Sequence, residues 1–339
     1  MAKSFGTLPN GQSASLYTIS CGSITAEISD FGATLVRLWV PDQHGRVADV
    51  VLGYNDVNGY LNGKCYFGAT VGRCANRIAG ASFQLNGKTI RLPGNENGNT
   101  LHSGPDCWSF RLWDVESVAE NVITLRLDSP DGDQGFPGRA VVHVTYELDP
   151  MGALHISYDA DCDQDTVINP TNHSYFNLAG HNHPEAAMDM LLTIPGEHFC
   201  PDDAANIPTG EERSVEGTPF DFRKAKPIGQ DINADYEPLH LQGGYDHNFE
   251  VRTNPAAILS CVDSGRKMIV FTDLPGIQFY AGNYIDNEQG KDGVIYTKRS
   301  GVALETQYYP DALHHPEWEQ PITLKGTPYY SETVYWFYT

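Results

Sequence analysis

The chain has 339 residues with 43 acidic and 22 basic side chains, a formal charge of -21; a field of that sign repels nucleic acid and anionic lipid, so neither is expected as a partner. Hydrophobic residues at 40% and charged residues at 19%, with 18 Tyr and 14 Phe, exclude a disordered chain, and at this length a large core can be buried. Seven cysteines, an odd number with no CxxC pair, exclude a disulfide-stapled scaffold and fit reduced thiols in a cytoplasmic setting.

The N-terminus, Met1-Ala2-Lys3-Ser4-Phe5-Gly6, has no apolar signal region, and no window reaches the ~18 apolar residues of a membrane span. Further along, Asp56 to Gly63 has room for only a short helical turn. The pair Asn86-Gly87 lies between Ala81–Leu85 and Lys88–Leu92, and positive φ at both turn residues predicts a hairpin. From Ile123 to Leu127 and again from Val142 to Leu148 apolar residues alternate with Thr, Arg, His and Glu, the period of a half-buried strand. Asp149-Pro150-Met151-Gly152 reads as a reversal, and Leu154, Ile156 and Tyr158 resume the alternation. Pro201 to Gly210 predicts at most a short helical turn, Thr209 to Gly217 a polar loop, and Asp263-Ser264-Gly265 another reversal. With no long amphipathic helix and no βαβ alternation, the pattern predicts an all-β fold of stacked antiparallel sheets, a large β-sandwich with few short helices. Neither a linker nor an internal repeat divides the sequence, so residues 1–339 are expected to form one domain.

Four segments break the alternation with polar groups. They are Gly72–Gly80 with Arg73, Asn76 and Arg77; Asn99–Gly104 with His102; Asn169–Leu178 with Asn172, His173 and Tyr175; and Gly301–Asp311 with Glu305. Taken alone, Asn, His and Arg in such loops satisfy turn backbone. Glu305 follows Val302-Ala303-Leu304 directly, and a carboxylate placed that near a core needs either a partner or a function. Asp246, in Gly244-Tyr245-Asp246-His247-Asn248-Phe249, fits a turn cap or a site. His181/His183 and His314-His315 lack well-spaced Cys, Asp or Glu companions, so no metal site is expected.

Asn76-Arg77-Ile78 with Gly80, Leu101-His102, Pro170-Thr171-Asn172-His173-Ser174-Tyr175-Phe176-Asn177-Leu178, Gly244–Phe249 and Leu304-Glu305-Thr306-Gln307 follow one another across the chain. Together they resemble the aldose 1-epimerase, or galactose mutarotase, family from about Gly6 onward. The resemblance implies an antiparallel β-supersandwich of the galactose mutarotase type. It also implies cofactor-free interconversion of the α and β anomers of free hexoses such as galactose and glucose, within hexose and galactose metabolism. By motif, Glu305 would be the general base and His173 the general acid. Asn76, Arg77, His102, Tyr175, Asp246 and Gln278, the last in Gly276-Ile277-Gln278-Phe279-Tyr280, would bind substrate. One departure stands out: the His102 loop reads Leu-His-Ser-Gly where Leu-His-Gly-Gly is usual.

Such chemistry needs one group to take the proton of the anomeric O1 and another to protonate the ring O5, after which rotation about C1–C2 and reclosure give the other anomer. The acid is expected to be an imidazolium, which a neighbouring negative charge such as Asp246 would sustain. A hexose-6-phosphate epimerase would need more cations than Arg73 and Arg77 in these loops. A sugar-binding module would need no acid and base together, and a glycosidase would use Glu305 and Asp246 as a carboxylate pair. A monomer or homodimer is expected.

Overall fold

The computed structural model describes residues 2–339, and three antiparallel sheets dominate them. Five strands from Lys3–Thr7 to Val47–Asp49 pair in chain order as a meander. A nine-stranded sheet begins with Asp114–Val118, Val122–Ser129, Ala140–Leu148 and Ala153–Cys162, then takes in the C-terminal strand Tyr329–Tyr338 and Lys267–Thr272. The third sheet has six strands and includes Tyr175–Phe176, Val302–Gln307, Gly276–Tyr280 and Asp246–Glu250 as successive neighbours.

The period-2 segments form strands for the reason the sequence suggests. Val142, Val144, Tyr146 and Leu148 are completely buried, while His143 and Thr145 are half-buried and Glu147 is exposed. The Asn86-Gly87 turn joins Ser82–Leu85 to Lys88–Arg91 with φ of +51° and +73°, and Leu85 faces Lys88. At the Asp149 reversal the carboxylate accepts the N–H groups of Met151 and Ala153, which fixes the register of the following strand. One apolar cluster then joins the inner faces of all three sheets, from Ile19 and Leu38 through Leu125 and Ile156 to Phe279 and Leu304.

Helices are few and short. Val57–Asn62 lies within the expected Asp56–Gly63 turn, and the Asp56 carboxylate accepts the N–H groups of Asn58 and Gly59. Pro201–Gly210 forms no helix, because Asp203 folds its carboxylate onto the N–H groups of Ala205 and Ile207 and holds a loop. A second helix, Glu237–Gln242, was not anticipated; it starts with Pro238 in its first turn and ends at Gly243 with φ +64°.

Candidate active site

The six-stranded sheet has two chemically different faces. Val302, Leu304, Phe249, Ile277 and Phe279 point into the apolar core. Residues one step out of phase, Asp246, Gln278, Tyr280 and Glu305, share the opposite face, because Gln278 pairs with Glu305 and Tyr280 with Asp246 across neighbouring strands. Tyr175 joins them by pairing with Ala303. The alternation that buries the core therefore presents Asp246, Tyr280, Glu305 and Tyr175 to a cavity of about 360 Å³, a size suited to a small molecule.

His173 reaches the cavity from a segment whose other polar side chains are spent on scaffolding. Thr171 Oγ1 donates to the Thr306 carbonyl at 2.8 Å, and Asn172 Nδ2 donates to the Gly68 carbonyl at 2.9 Å. Asn172 Oδ1 in turn accepts the Ser174 N–H. His173 is left facing Glu305, with Nε2 3.6 Å from Oε2 and side-chain exposures of 7% and 3%. That separation exceeds a hydrogen bond. Its Nδ1, Glu305 Oε2 and Gln278 Oε1 are buried without a protein partner.

His102 and Arg77 enter from the paired strands Arg77–Ile78 and Thr100–Leu101. His102 Nδ1 accepts the Asn76 N–H at 3.1 Å, so the ring proton resides on Nε2. Arg77 is clamped by Glu96, its Nε 2.5 Å and Nη2 3.1 Å from the two carboxylate oxygens. Asp246 Oδ1 accepts from Gln278 Nε2 at 2.8 Å.

Burial governs the electrostatics. It drives the Glu305 carboxyl well above its usual range, the Asp246 charge adds to the rise, and Arg77 opposes it. Asp246 is raised for the same first reason, against Arg77 and the Gln278 hydrogen bond. Burial also lowers His102 well below the ordinary imidazole value and His173 to about 4. Burial thus favours a neutral His173, where the sequence led to the expectation of an imidazolium, because desolvation outweighs the backbone hydrogen bond that favours the charged ring.

Seven of the eight residues singled out in the sequence line this cavity: Glu305, His173, Asn76, Arg77, His102, Tyr175 and Asp246. Gln278 stands behind Asp246 and holds it. Arg73 lies apart, fully buried, with its guanidinium donating to the Pro137, Gly138 and Ser129 carbonyls. Sequence reasoning missed Tyr66, whose ring centroid is 4.9 Å from His102 and 6.0 Å from His173. It also missed Glu96, Tyr280 and the exposed Lys64 and Tyr284 at the rim. Tyr280 was accessible as the same-face neighbour of Gln278, two residues on; Tyr66 and Glu96 sit in turns with no pattern.

Residues 15–336 match the family model described as aldose 1-epimerase. The chain belongs to that family. Aldose 1-epimerases are carbohydrate isomerases that interconvert the α and β anomers of aldoses, and this chain is one of them. It is 41% identical to galactose mutarotase of Rattus norvegicus over 98% of this chain and 96% of the relative, and 37% identical to aldose 1-epimerase of Haemophilus influenzae over 97% of each. Among solved structures, the aldose epimerase homologue from C. elegans superimposes with a TM-score of 0.88 at 29% identity, covering 96% of this chain and 99% of that one. Galactose 1-epimerase from Lactobacillus acidophilus gives 0.87 at 28% identity, over 100% and 98%. The fold is therefore the antiparallel β-supersandwich of this aldose 1-epimerase family. No helix among the described residues is long and apolar enough to cross a membrane.

Proposed function

We propose that this aldose 1-epimerase acts on free hexoses, galactose and glucose among them, with the whole chain working as one domain and Glu305 and His173 as the proton-transfer pair. The observation that carries this reading is the juxtaposition of a buried carboxylate and a buried imidazole 3.6 Å apart on the wall of a small-molecule cavity. In the forward direction Glu305 takes the O1 proton and His173 donates to O5. The C1–O5 bond opens, and the resulting aldehyde rotates about C1–C2. Closure of the ring on the other face returns both protons, so each group ends as it began.

The surrounding groups have roles that follow from their chemistry. Arg77, fixed by Glu96, offers its remaining guanidinium donors to sugar hydroxyls. His102 presents Nε2–H as a donor, Asp246 accepts from a hydroxyl, and Gln278 orients Asp246. Asn76 Oδ1 accepts the Arg77 N–H at 2.9 Å, which leaves the Asn76 amide NH₂ available to the sugar. Tyr175, whose ring centroid is 5.0 Å from that of His173, supports the imidazole and supplies apolar surface to the sugar ring. A phosphorylated hexose is disfavoured: Arg73 is committed elsewhere and the charge of Arg77 is already balanced by Glu96, so among the described residues lining the cavity the exposed Lys64 is the one cation left to meet a dianion.

Polarimetry of freshly dissolved α-D-galactose and α-D-glucose tests the assignment. The wild type is expected to speed the approach to the spontaneous end-point, and Glu305→Gln to be slower by about 10²- to 10⁴-fold, the range for loss of one general acid–base group. A folded wild type that leaves both spontaneous rates unchanged would overturn the proposed sugars, and a Gln variant of undiminished rate would overturn the assigned base.

A further inference from the structure

The loop carrying His102 runs through three successive residues of left-handed backbone, His102 at φ +51°, Ser103 at +74° and Gly104 at +105°. Glycine occupies that region freely, whereas a residue with a Cβ carries a conformational penalty there. Ser103 is nevertheless at this position, 2% exposed. Its hydroxyl accounts for it: Oγ accepts the Cys74 N–H at 2.6 Å and donates to the Cys74 carbonyl at 3.0 Å. One small side chain thereby satisfies both main-chain polar groups of a buried residue.

The neighbouring residue is tied to the same segment. The His102 N–H donates to the Asn76 carbonyl at 2.9 Å, and the Asn76 N–H donates back to His102 Nδ1 at 3.1 Å. Residues 102–103 are therefore pinned to residues 74–76 at both ends of a short contact. The imidazole tautomer depends on that contact, because Nδ1 must stay unprotonated for as long as it accepts the Asn76 N–H.

We propose that Ser103 is a positioning residue for the reaction, its hydroxyl locking the His102 loop onto Cys74 so that the His102 ring is held as the Nε2–H tautomer, a fixed donor aimed into the sugar cavity. A glycine here removes both bonds to Cys74. The loop is then free to drift from Asn76, and the ring can exchange its proton between the two nitrogens. The inference rests on the reading above that His102 contacts the sugar.

Ser103→Gly is the decisive variant, since it relieves the backbone penalty and so preserves folding, and Ser103→Ala removes the hydroxyl while keeping the Cβ. In both, the KM for galactose is expected to rise about tenfold with kcat within about threefold of wild type. Imidazole ¹⁵N spectra of the sugar-free protein, with the His102 signals assigned by their loss in His102→Gln, are expected to pass from a single Nε2–H tautomer to a mixture. A merely structural hydroxyl would lower thermal stability without moving the tautomer or splitting KM from kcat. Unchanged His102 shifts together with an unchanged KM in Ser103→Gly overturn the proposal. If His102→Gln leaves KM and kcat untouched, the sugar-contact reading fails instead, and the tautomer spectrum of Ser103→Gly still decides whether Ser103 sets the ring.

Discussion

Replacing Glu305 by Gln is expected to stabilise the protein while disabling it. The carboxylate is 3% exposed, its Oε2 has no hydrogen-bond partner, and the nearest cationic candidate is His173 Nε2 at 3.6 Å. Burial and the Asp246 charge raise its folded-state value well above the ordinary one. Above about pH 4.3 the unfolded chain gives up this proton while the folded chain keeps it, so the native state binds more protons and its stability falls as pH rises. An amide of the same shape removes that dependence, and the unpartnered Gln278 Oε1 directly across the strand pair can accept from it. Relief of one unpaired buried carboxylate oxygen is on the order of 2 kcal/mol. With ~2.1 cal/mol/K of unfolding entropy per residue, a chain of this size changes by about 0.7 kcal/mol/K, so the melting temperature should rise by roughly 3 °C at pH 8 and by less at pH 5. The same substitution adds about 3–5 kcal/mol to the barrier if it costs 10²- to 10⁴-fold in rate. Scanning calorimetry at both pH values checks this. A variant no more stable than wild type at pH 8, or one whose gain is identical at pH 5, would refute the claim that a catalytic need keeps a destabilising carboxylate in place.

Two further effects follow from buried charge. The folded value of His173, near 4, lies below the ~6.5 of an unfolded imidazole, so its contribution to stability is complete above pH 6.5 and is lost as pH falls toward 4; the loss is roughly 3 kcal/mol, and urea titrations at pH 7 and pH 4.5 should show a shallower acid slope in His173→Gln. Lys291, completely buried, donates to Asp49 Oδ2 at 2.6 Å and to the Val36 and Val51 carbonyls at 2.7 and 2.8 Å. Lys291→Met leaves the two carbonyls unpaired and Asp49 Oδ2 with only the 3.4 Å contact from Arg37, and should cost about 3–5 kcal/mol in the same titration; a cost under about 1 kcal/mol would mean that Arg37 alone suffices for Asp49.

The strands were legible because each carries its own evidence. Val142 to Leu148 and Leu154 to Tyr158 alternate, and Asn86-Gly87 specifies a turn locally. Helix Glu237–Gln242 was not, since six residues are too few to show an apolar stripe, although Pro238 and Gly243 mark its ends. Recognising the motifs named the proposed acid and base and five further residues of the cavity wall, Arg77 among them and Arg73 not, but the sequence holds no physical reason for that difference. Four residues apart, Arg73 turns inward to four carbonyls and Arg77 meets Glu96 at the cavity. That partner lies 19 residues further on in a polar turn, and no local pattern connects the two. The neutral ring that burial favours at His173 was also out of reach, because sequence does not show the loss of water around a side chain.

That loss of water shapes the proposed mechanism. Burial favours neutral His173 and protonated Glu305, whereas the proposed removal of the O1 proton calls for an anionic Glu305 and a cationic His173. Both arrangements contain one proton and differ only in its place across a 3.6 Å gap. Changing pH cannot convert one into the other, so the rate should show a plateau whose edges belong to the pair and not to either residue alone. In the proposed mechanism the sugar shifts the proton: O5 accepting from His173 and O1–H donating to Glu305 would both favour the charged form, and both contacts would strengthen as the ring opens. Arg77 pulls Glu305 toward the anion and Asp246 pushes it back. A site balanced between them leaves the charged pair within reach of a bound sugar without the cost of permanently maintaining two buried charges.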